Sequence, residues 1–182
     1  MLKSKIRKKT LNLRKSKNIH NIKLDFFKIY NILKTYNLKN KSIGGYYPVN
    51  YEIDILEILE SLEKKVGAKL SLPVIKKNNE MDFYKWSTKS LLKLNKFGIP
   101  EPEEIKKVFP DVIFVPIVAF DNRLYRIGYG GGYYDRYIQK LSNKKKLFKI
   151  GIAHSCQKIN KVPINKYDKK LDIIITEKYI LR

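Results

Sequence analysis

Cysteine is almost absent from this sequence of 182 residues. Cys156 stands alone, so no disulfide can form within the chain, and a reducing compartment, the cytoplasm, is expected. Long apolar runs are missing as well. No stretch reaches the roughly 20 residues that a membrane span needs, and no apolar core follows the basic N-terminus, so neither a membrane partner nor a signal peptide is expected. Acidic residues are scarce: 17 stand against 39 Lys and Arg, giving a net charge of +22. Such an imbalance suits a basic nucleic-acid binder, which is the alternative reading and would show steep salt dependence. Against it, there is no helix-turn-helix, RNP or zinc pattern. The lysines are also spread along the chain among many Asn and Ile residues, as AT-rich codon usage would spread them. No specific nucleic acid is expected, and attraction of anionic substrates is the by-product.

Two nucleotide templates are also missing. GxxxxGK[ST] fails because no Lys-Ser or Lys-Thr follows the glycines, and GxGxxG begins at Gly128 and Gly130 but ends on Tyr133. What stands in their place organises the chain. Val112 to Phe120 is a β-branched and aromatic run closed by the turn residues Asp121 and Asn122, which predicts a buried strand. Gly128, Gly130, Gly131 and Gly132 follow, then a helical pattern from Tyr133 to Leu141. A glycine loop that opens a helix gathers backbone N–H groups where an anion, above all a phosphate, is bound. Glycine clusters also make plain turns. Here Arg126 and Arg136 add charge that pairs with phosphate, and Asp135 adds a carboxylate suited to Mg²⁺.

Elsewhere, residues 1–18 predict a basic helix with Leu2, Ile6 and Leu13 near one face, and Lys3 and Arg7 on one side, able to grip one anion. Asp25 to Tyr36 predicts a second helix. A strand at Ile43 to Pro48 precedes a helix that Asn50 is expected to cap and Gly67 to end, with Ile53, Leu56, Leu59, Leu62 and Val66 on its apolar face. Further strands are expected at 70–75, 81–86, 147–153 and 171–176, and a rigid loop at 97–102, where two prolines and a glycine fall. Strands alternating with helices predict an α/β fold with a mostly parallel sheet, helices on both faces and ligands at the carboxyl ends of the strands. His20 is expected at the surface, Cys156 as a buried thiol, and His154 is given no role.

Several segments, in order, resemble the 5-formyltetrahydrofolate cyclo-ligase (5,10-methenyltetrahydrofolate synthetase) family over nearly the whole chain. They are Lys3-Ser-Lys-Ile-Arg7, Tyr47-Pro-x-x-x-Glu52-x-Asp54, Leu72-Pro-Val, Phe83-x-x-Trp86, Phe97-Gly-Ile-Pro-Glu-Pro102, Val115-Pro-x-x-Ala-Phe-Asp121 and, most specific, Arg126-x-Gly-x-Gly-x-Gly-Tyr-Tyr-Asp135. The resemblance implies a single three-layer α/β/α domain over 1–182, of the NagB/RpiA/CoA transferase-like type. It also implies an ATP- and Mg²⁺-dependent ring closure of 5-formyltetrahydrofolate, with or without a polyglutamate tail, by a monomer. Lys3, Ser4, Lys5, Ile6 and Arg7 would meet ATP phosphates. Arg126, Ile127, Gly128, Tyr129, Gly130, Gly131, Gly132, Tyr133 and Tyr134 would form the nucleotide loop. Asp135 and Asp168 would hold Mg²⁺. Tyr47, Glu52, Trp86 and the segment from Tyr129 to Tyr133 would bind folate. Lys3, Arg7, Arg126, Tyr133 and Asp135 would carry catalysis. An enzyme of the same fold acting on another ATP-activated amide remains a third reading.

Overall fold

Five apolar runs line up in parallel through the middle of the fold. The structure is a computed structural model that describes residues 2–16, 22–35, 41–142 and 144–182, so the expectations for His20 and Tyr36 fall outside the described residues. The helices are α1 (Leu2–Ser16), α2 (Phe26–Lys34), α3 (Leu56–Val66) and α4 (Tyr133–Ser142). The strands are β1 (Ser42–Gly44), β2 (Lys69–Ile75), β3 (Met81–Lys85), β4 (Leu92–Leu94), β5 (Pro100–Pro102), β6 (Lys107–Val108), β7 (Val112–Pro116), β8 (Ala119–Phe120), β9 (Arg126–Ile127), β10 (Phe148–Ile152), β11 (Ile173–Ile175) and β12 (Ile180–Leu181). The main sheet has eight strands in the order β12-β11-β10-β7-β1-β2-β3-β6. Strands β11, β10, β7, β1 and β2 are mutually parallel, and at the margins β12 pairs antiparallel with β11, β3 with β2 and β6 with β3. The mostly parallel sheet expected from the alternation is therefore present.

Period-two alternation divides each strand between two cores. Val112 and Phe114 face the layer of α2 and α3, together with Ile43, Leu70, Leu72, Ile150 and Ile152. Ile113 and Val115 face α4, whose Tyr137, Ile138 and Leu141 cover Phe83 and Ile174. Burying a side chain such as Leu59 or Leu62 of α3 stabilises the fold by about 2 kcal/mol each. Gly45 makes room for that helix, because a Cβ there would run into the Leu59 side chain. The chain leaves β1 through α3 toward β2, and leaves β7 through α4 toward β10, on the other side. Strand order thus reverses between β1 and β7. A crevice opens at such a point, beyond the carboxyl ends of the strands.

Four local expectations are revised. Helix α3 starts at Leu56 with Ile55 at its N-cap, and Asp54, one residue earlier, accepts the Leu56 N–H on Oδ1 at 2.8 Å; Asn50 lies in a turn upstream and is not the cap. The run from Val112 to Phe120 is two strands, broken at Ile117 and Val118, whose carbonyls both accept from the Gln157 side chain. Pro100–Pro102 is a strand of a small hairpin with β4, where prolines are tolerated because the ladder has only two strands. Finally, α1 buries its apolar stripe only in part: Leu2 is 61% exposed and Ile6 and Leu13 are half-buried, while Thr10 and Arg14 are buried. The reason is its location. Helix α1 packs against β8 and the turn at Ser155–Gln157, over the polar ends of the strands and away from either main core.

Candidate active site

Three segments meet where the strand order reverses: the turn after β1, the hairpin and glycine loop after β7, and the N-terminal helix laid across them. The spacing of Lys3, Arg7, Thr10 and Arg14 puts these four on one helical face. That face looks at the site. Lys3 Nζ pairs with Asp168 Oδ2 at 2.5 Å, and Arg7 Nε donates to the Gly128 carbonyl at 2.8 Å. Ser4 and Lys5 lie on the exposed side, and Ile6 packs on the small core of Ala119, Ile127 and Val162. Of the N-terminal segment, Lys3 and Arg7 are therefore the two cations brought to the loop.

The glycine loop runs from β9 into α4 as expected. Gly130 and Gly132 hold φ of 113° and 68°, which strains any other residue. A Cβ on Gly130 would also press on the Arg7 guanidinium at 3.3 Å, whereas one on Gly128 would meet nothing within 4 Å. The two arginines of the loop are spent on holding it. Arg126, buried, donates to Asp135 Oδ1 at 3.0 Å and to the Lys169 carbonyl at 2.8 Å. Arg136 donates to the carbonyls of Asn79 and Gly131 and lies over the Tyr133 ring, whose hydroxyl meets Asn79 Oδ1 at 3.3 Å.

Asp135 and Asp168 are drawn to one place. Asp135 Oδ1 accepts the backbone N–H of Lys169, the residue next to Asp168, at 3.0 Å, and Asp168 Oδ2 accepts from Lys3 and from the Asn165 N–H. Among the described residues, each carboxylate thus keeps its second oxygen free of protein donors. No cluster of three or more His, Cys, Asp or Glu side chains exists among the described residues. A pair of carboxylates without a full protein cage fits Mg²⁺, which takes one or two carboxylates and fills its shell from water and phosphate.

Beside the loop lies a second, drier region. Glu52 closes a turn on Val49, with Glu52 N donating to Val49 O at 3.0 Å and Val49 N donating to Glu52 Oε2 at 2.9 Å. Glu52 Oε1 is out of solvent with no hydrogen-bond partner, as are Tyr134 Oη, His154 Nδ1 and Arg14 Nε. Burial pushes the Glu52 carboxyl up to about 7, against the opposing pull of the Val49 N–H, the Tyr129 hydroxyl and the Arg14 charge. Burial, reinforced by the Glu52 charge, also lifts the Tyr129 and Tyr134 hydroxyls well above the usual phenol range. Buried polar atoms are normally paired. A group of orphans around one carboxylate is what a polar ligand would complete, and Tyr47 stands half-buried on the same segment.

Trp86 is not brought here. It packs in the core beneath α2 and α3, and its backbone N–H bonds Leu70 O, level with Ile43 and below the carboxyl ends of the strands. Conversely, the structure adds Arg14, which reading α1 by its apolar residues missed. Its guanidinium, 1% exposed, donates to Ile117 O at 3.3 Å, to Asn50 O and to Tyr129 Oη at 2.7 Å. The signal available in the sequence was polar periodicity: the same stripe that carries Lys3 and Arg7 continues to Arg14.

Comparison with known proteins identifies the family. The 5-formyltetrahydrofolate cyclo-ligase family model matches residues 3–177. The Haemophilus influenzae 5-formyltetrahydrofolate cyclo-ligase is 33% identical over 143 residues, which is 74% of this chain and 75% of that protein. The Escherichia coli K12 cyclo-ligase is 33% identical over 132 residues, 69% of this chain and 71% of that one. Among solved structures, the Aquifex aeolicus 5,10-methenyltetrahydrofolate synthetase superposes with a TM-score of 0.77 at 33% identity, covering 100% of this chain and 93% of that one. The Mycoplasma pneumoniae 5,10-methenyltetrahydrofolate synthetase gives 0.73 at 26% identity, covering 97% and 99%. With a family match over nearly its full length, and with the glycine loop and its cations in place, the chain belongs to the 5-formyltetrahydrofolate cyclo-ligase family.

Proposed function

We propose that this protein uses ATP and Mg²⁺ to close 5-formyltetrahydrofolate to 5,10-methenyltetrahydrofolate, releasing ADP and phosphate, as a single-domain monomer in the cytoplasm. The formyl group is an amide, and its oxygen is a poor leaving group. Transfer of the γ-phosphoryl group to that oxygen makes it a good one. N10 then attacks the activated carbon, the C–O bond breaks, and phosphate departs with the oxygen. Phosphoryl transfer of this kind needs positioning and charge neutralisation more than covalent help.

The chain's residues suit those tasks. The backbone N–H groups between Gly128 and Tyr134, at the start of α4, face an anion with the positive end of the helix behind them. Lys3 and Arg7 add positive charge beside the loop. Asp135 and Asp168 would hold Mg²⁺, which when bound neutralises phosphate charge. Arg126 keeps Asp135 aimed. On the folate side, Glu52 offers one carboxylate to the paired N–H donors of a pterin, which fork-like donors grip well. Tyr129 borders it, and Tyr47 stands on the same segment.

The observation that carries this reading is the meeting of the two half-sites at the strand reversal, one cationic and glycine-lined, the other dry and centred on Glu52. The test is turnover: 5-formyltetrahydrofolate, ATP and Mg²⁺ are mixed with the protein and the absorbance of the methenyl product is followed. Product is expected with ATP and none without it. Absence of product over a wide range of both substrates would defeat the proposal.

A further inference from the structure

The turn that carries Glu52 stands in a conformation its own residues resist. Asn50 and Tyr51 both sit at positive φ, 49° and 62°. Asparagine tolerates the left-handed region, but a bulky aromatic residue there is an outlier. Such a pair persists only where the surroundings impose it, and strain of this kind gathers at functional sites.

Two buried side chains from distant parts of the chain impose it here. Arg14, near the end of α1, donates Nη2–H to the carbonyl of Asn50. The same guanidinium is anchored on Ile117 O at the end of β7 and on the Tyr129 hydroxyl of the glycine loop. His154, just beyond β10, donates its Nε2–H to the carbonyl of Tyr51 at 3.1 Å. Both side chains are 1% exposed. Consecutive carbonyls are therefore held from two different elements, and the next residue is Glu52. The grip is on the backbone, so Arg14 and His154 bear on the direction in which Glu52 leaves the turn. Both sit where strand ends meet, and Arg14 keeps its Nε without a partner among the described residues.

We propose that Arg14 and His154 are positioning residues, a two-point clamp on the Asn50 and Tyr51 carbonyls that holds Glu52 inward and thereby sets affinity for the folate. The clamp rests on the assignment of Glu52 to the folate half of the site. It makes the turn after β1 a preformed receptor and lets α1, whose other end faces the phosphates, touch both halves at once.

His154→Leu deletes the donor, His154→Gln keeps an N–H at the same end of the side chain, and Arg14→Lys keeps the charge but cannot span three acceptors. In the ligand-free protein, amide exchange at Val49 and Glu52 is expected to quicken about tenfold or more in His154→Leu and Arg14→Lys, while β7 and β10 stay as protected as before. His154→Gln is expected to restore most of the protection. In turnover, His154→Leu is expected to raise KM for 5-formyltetrahydrofolate about tenfold and to move KM for ATP less than about twofold. Unchanged exchange at Val49 and Glu52 in both His154→Leu and Arg14→Lys overturns the clamp. So does an equal rise of the two Michaelis constants. A wild-type protein that turns over no folate would sink the assigned reaction instead, and the exchange measurement, which needs no substrate, would still decide the clamp.

Discussion

Burial lifts the Glu52 carboxyl from an ordinary 4.5 to about 7, and this single residue gives the ligand-free protein a pH dependence that can be signed in advance. The folded state holds the proton more tightly than the unfolded chain does. The contribution of Glu52 is therefore fully present below about pH 4.5 and is lost as the pH rises through 7, by on the order of 3 kcal/mol. His154 works the other way. Burial lowers its pKa, so the fold loses stability as pH falls below its usual 6.5. The clean measurement is thus a difference: denaturant unfolding of wild type and Glu52→Gln at pH 5 and pH 8, with the variant gaining on wild type at the higher pH. A constant gap would mean that Glu52 is ionised throughout. Asp135 makes a different claim. Asp135→Asn keeps an oxygen for Arg126 and Lys169 N–H but loses the charge, and it is expected to cost about 3 kcal/mol of transition-state stabilisation, with the melting temperature near that of wild type. A rate within a few-fold of wild type would remove Asp135 from the mechanism. Both carboxylates were legible in the sequence because each lies within a motif. Arg14 and His154 were not, because their partners are carbonyls of residues 36 and 103 positions away, and a carbonyl leaves no mark in the sequence.

At the scale of elements, α1 and the glycine loop show where periodicity informs and where it misleads. An apolar stripe predicts a core-facing helix only when a core lies beneath it. Helix α1 covers strand ends that present unpaired carbonyls, so its donor-rich face is the buried one and Leu2 is left in water. The loop can be dissected by two glycine substitutions. Gly128→Ala meets no atom within 4 Å and needs no unusual φ, so its stability is expected to match wild type while ATP binding weakens, because the added methyl stands where phosphate must approach. Gly130→Ala, at φ 113° and against Arg7, is expected to lose about 1–3 kcal/mol of stability as well. Thermal melts and ATP titrations of the two variants check this. Equal ATP binding by Gly128→Ala and wild type would separate the loop from the nucleotide. The helix ends were read unevenly. Gly67 closes α3 at φ 66° as its position in the sequence suggested, but the start moved from Asn50 to Asp54, since several side chains there could cap and the turn at Asn50 was already committed to Arg14.

For the molecule as a whole, the charge of +22 acts at a distance. Exposed lysines attract anionic substrates through a field that salt screens within about 10 Å at 0.1 M. Raising ionic strength from low to about 0.5 M is therefore expected to lower kcat/KM for both substrates several-fold and to leave kcat nearly unchanged. A fall in kcat of the same size would place the effect in the chemistry and not in the encounter. The sequence by itself determined the main helices, the central strands, the parallel sheet and the glycine loop, because these depend on side-chain periodicity, turn residues and short-range backbone preference, all of which are local; the short strands β4, β5, β6, β9 and β12 were not legible in it. It also carried the family motifs, which mark the loop and both carboxylates. Only the tertiary structure decided that the strand order reverses between β1 and β7, that α1 lays its basic face over that point, that Trp86 belongs to the core, and that the carbonyls of a strained turn are held by an arginine and a histidine. Those outcomes depend on which distant donors reach which backbone acceptors, and that pairing exists only once the chain is folded.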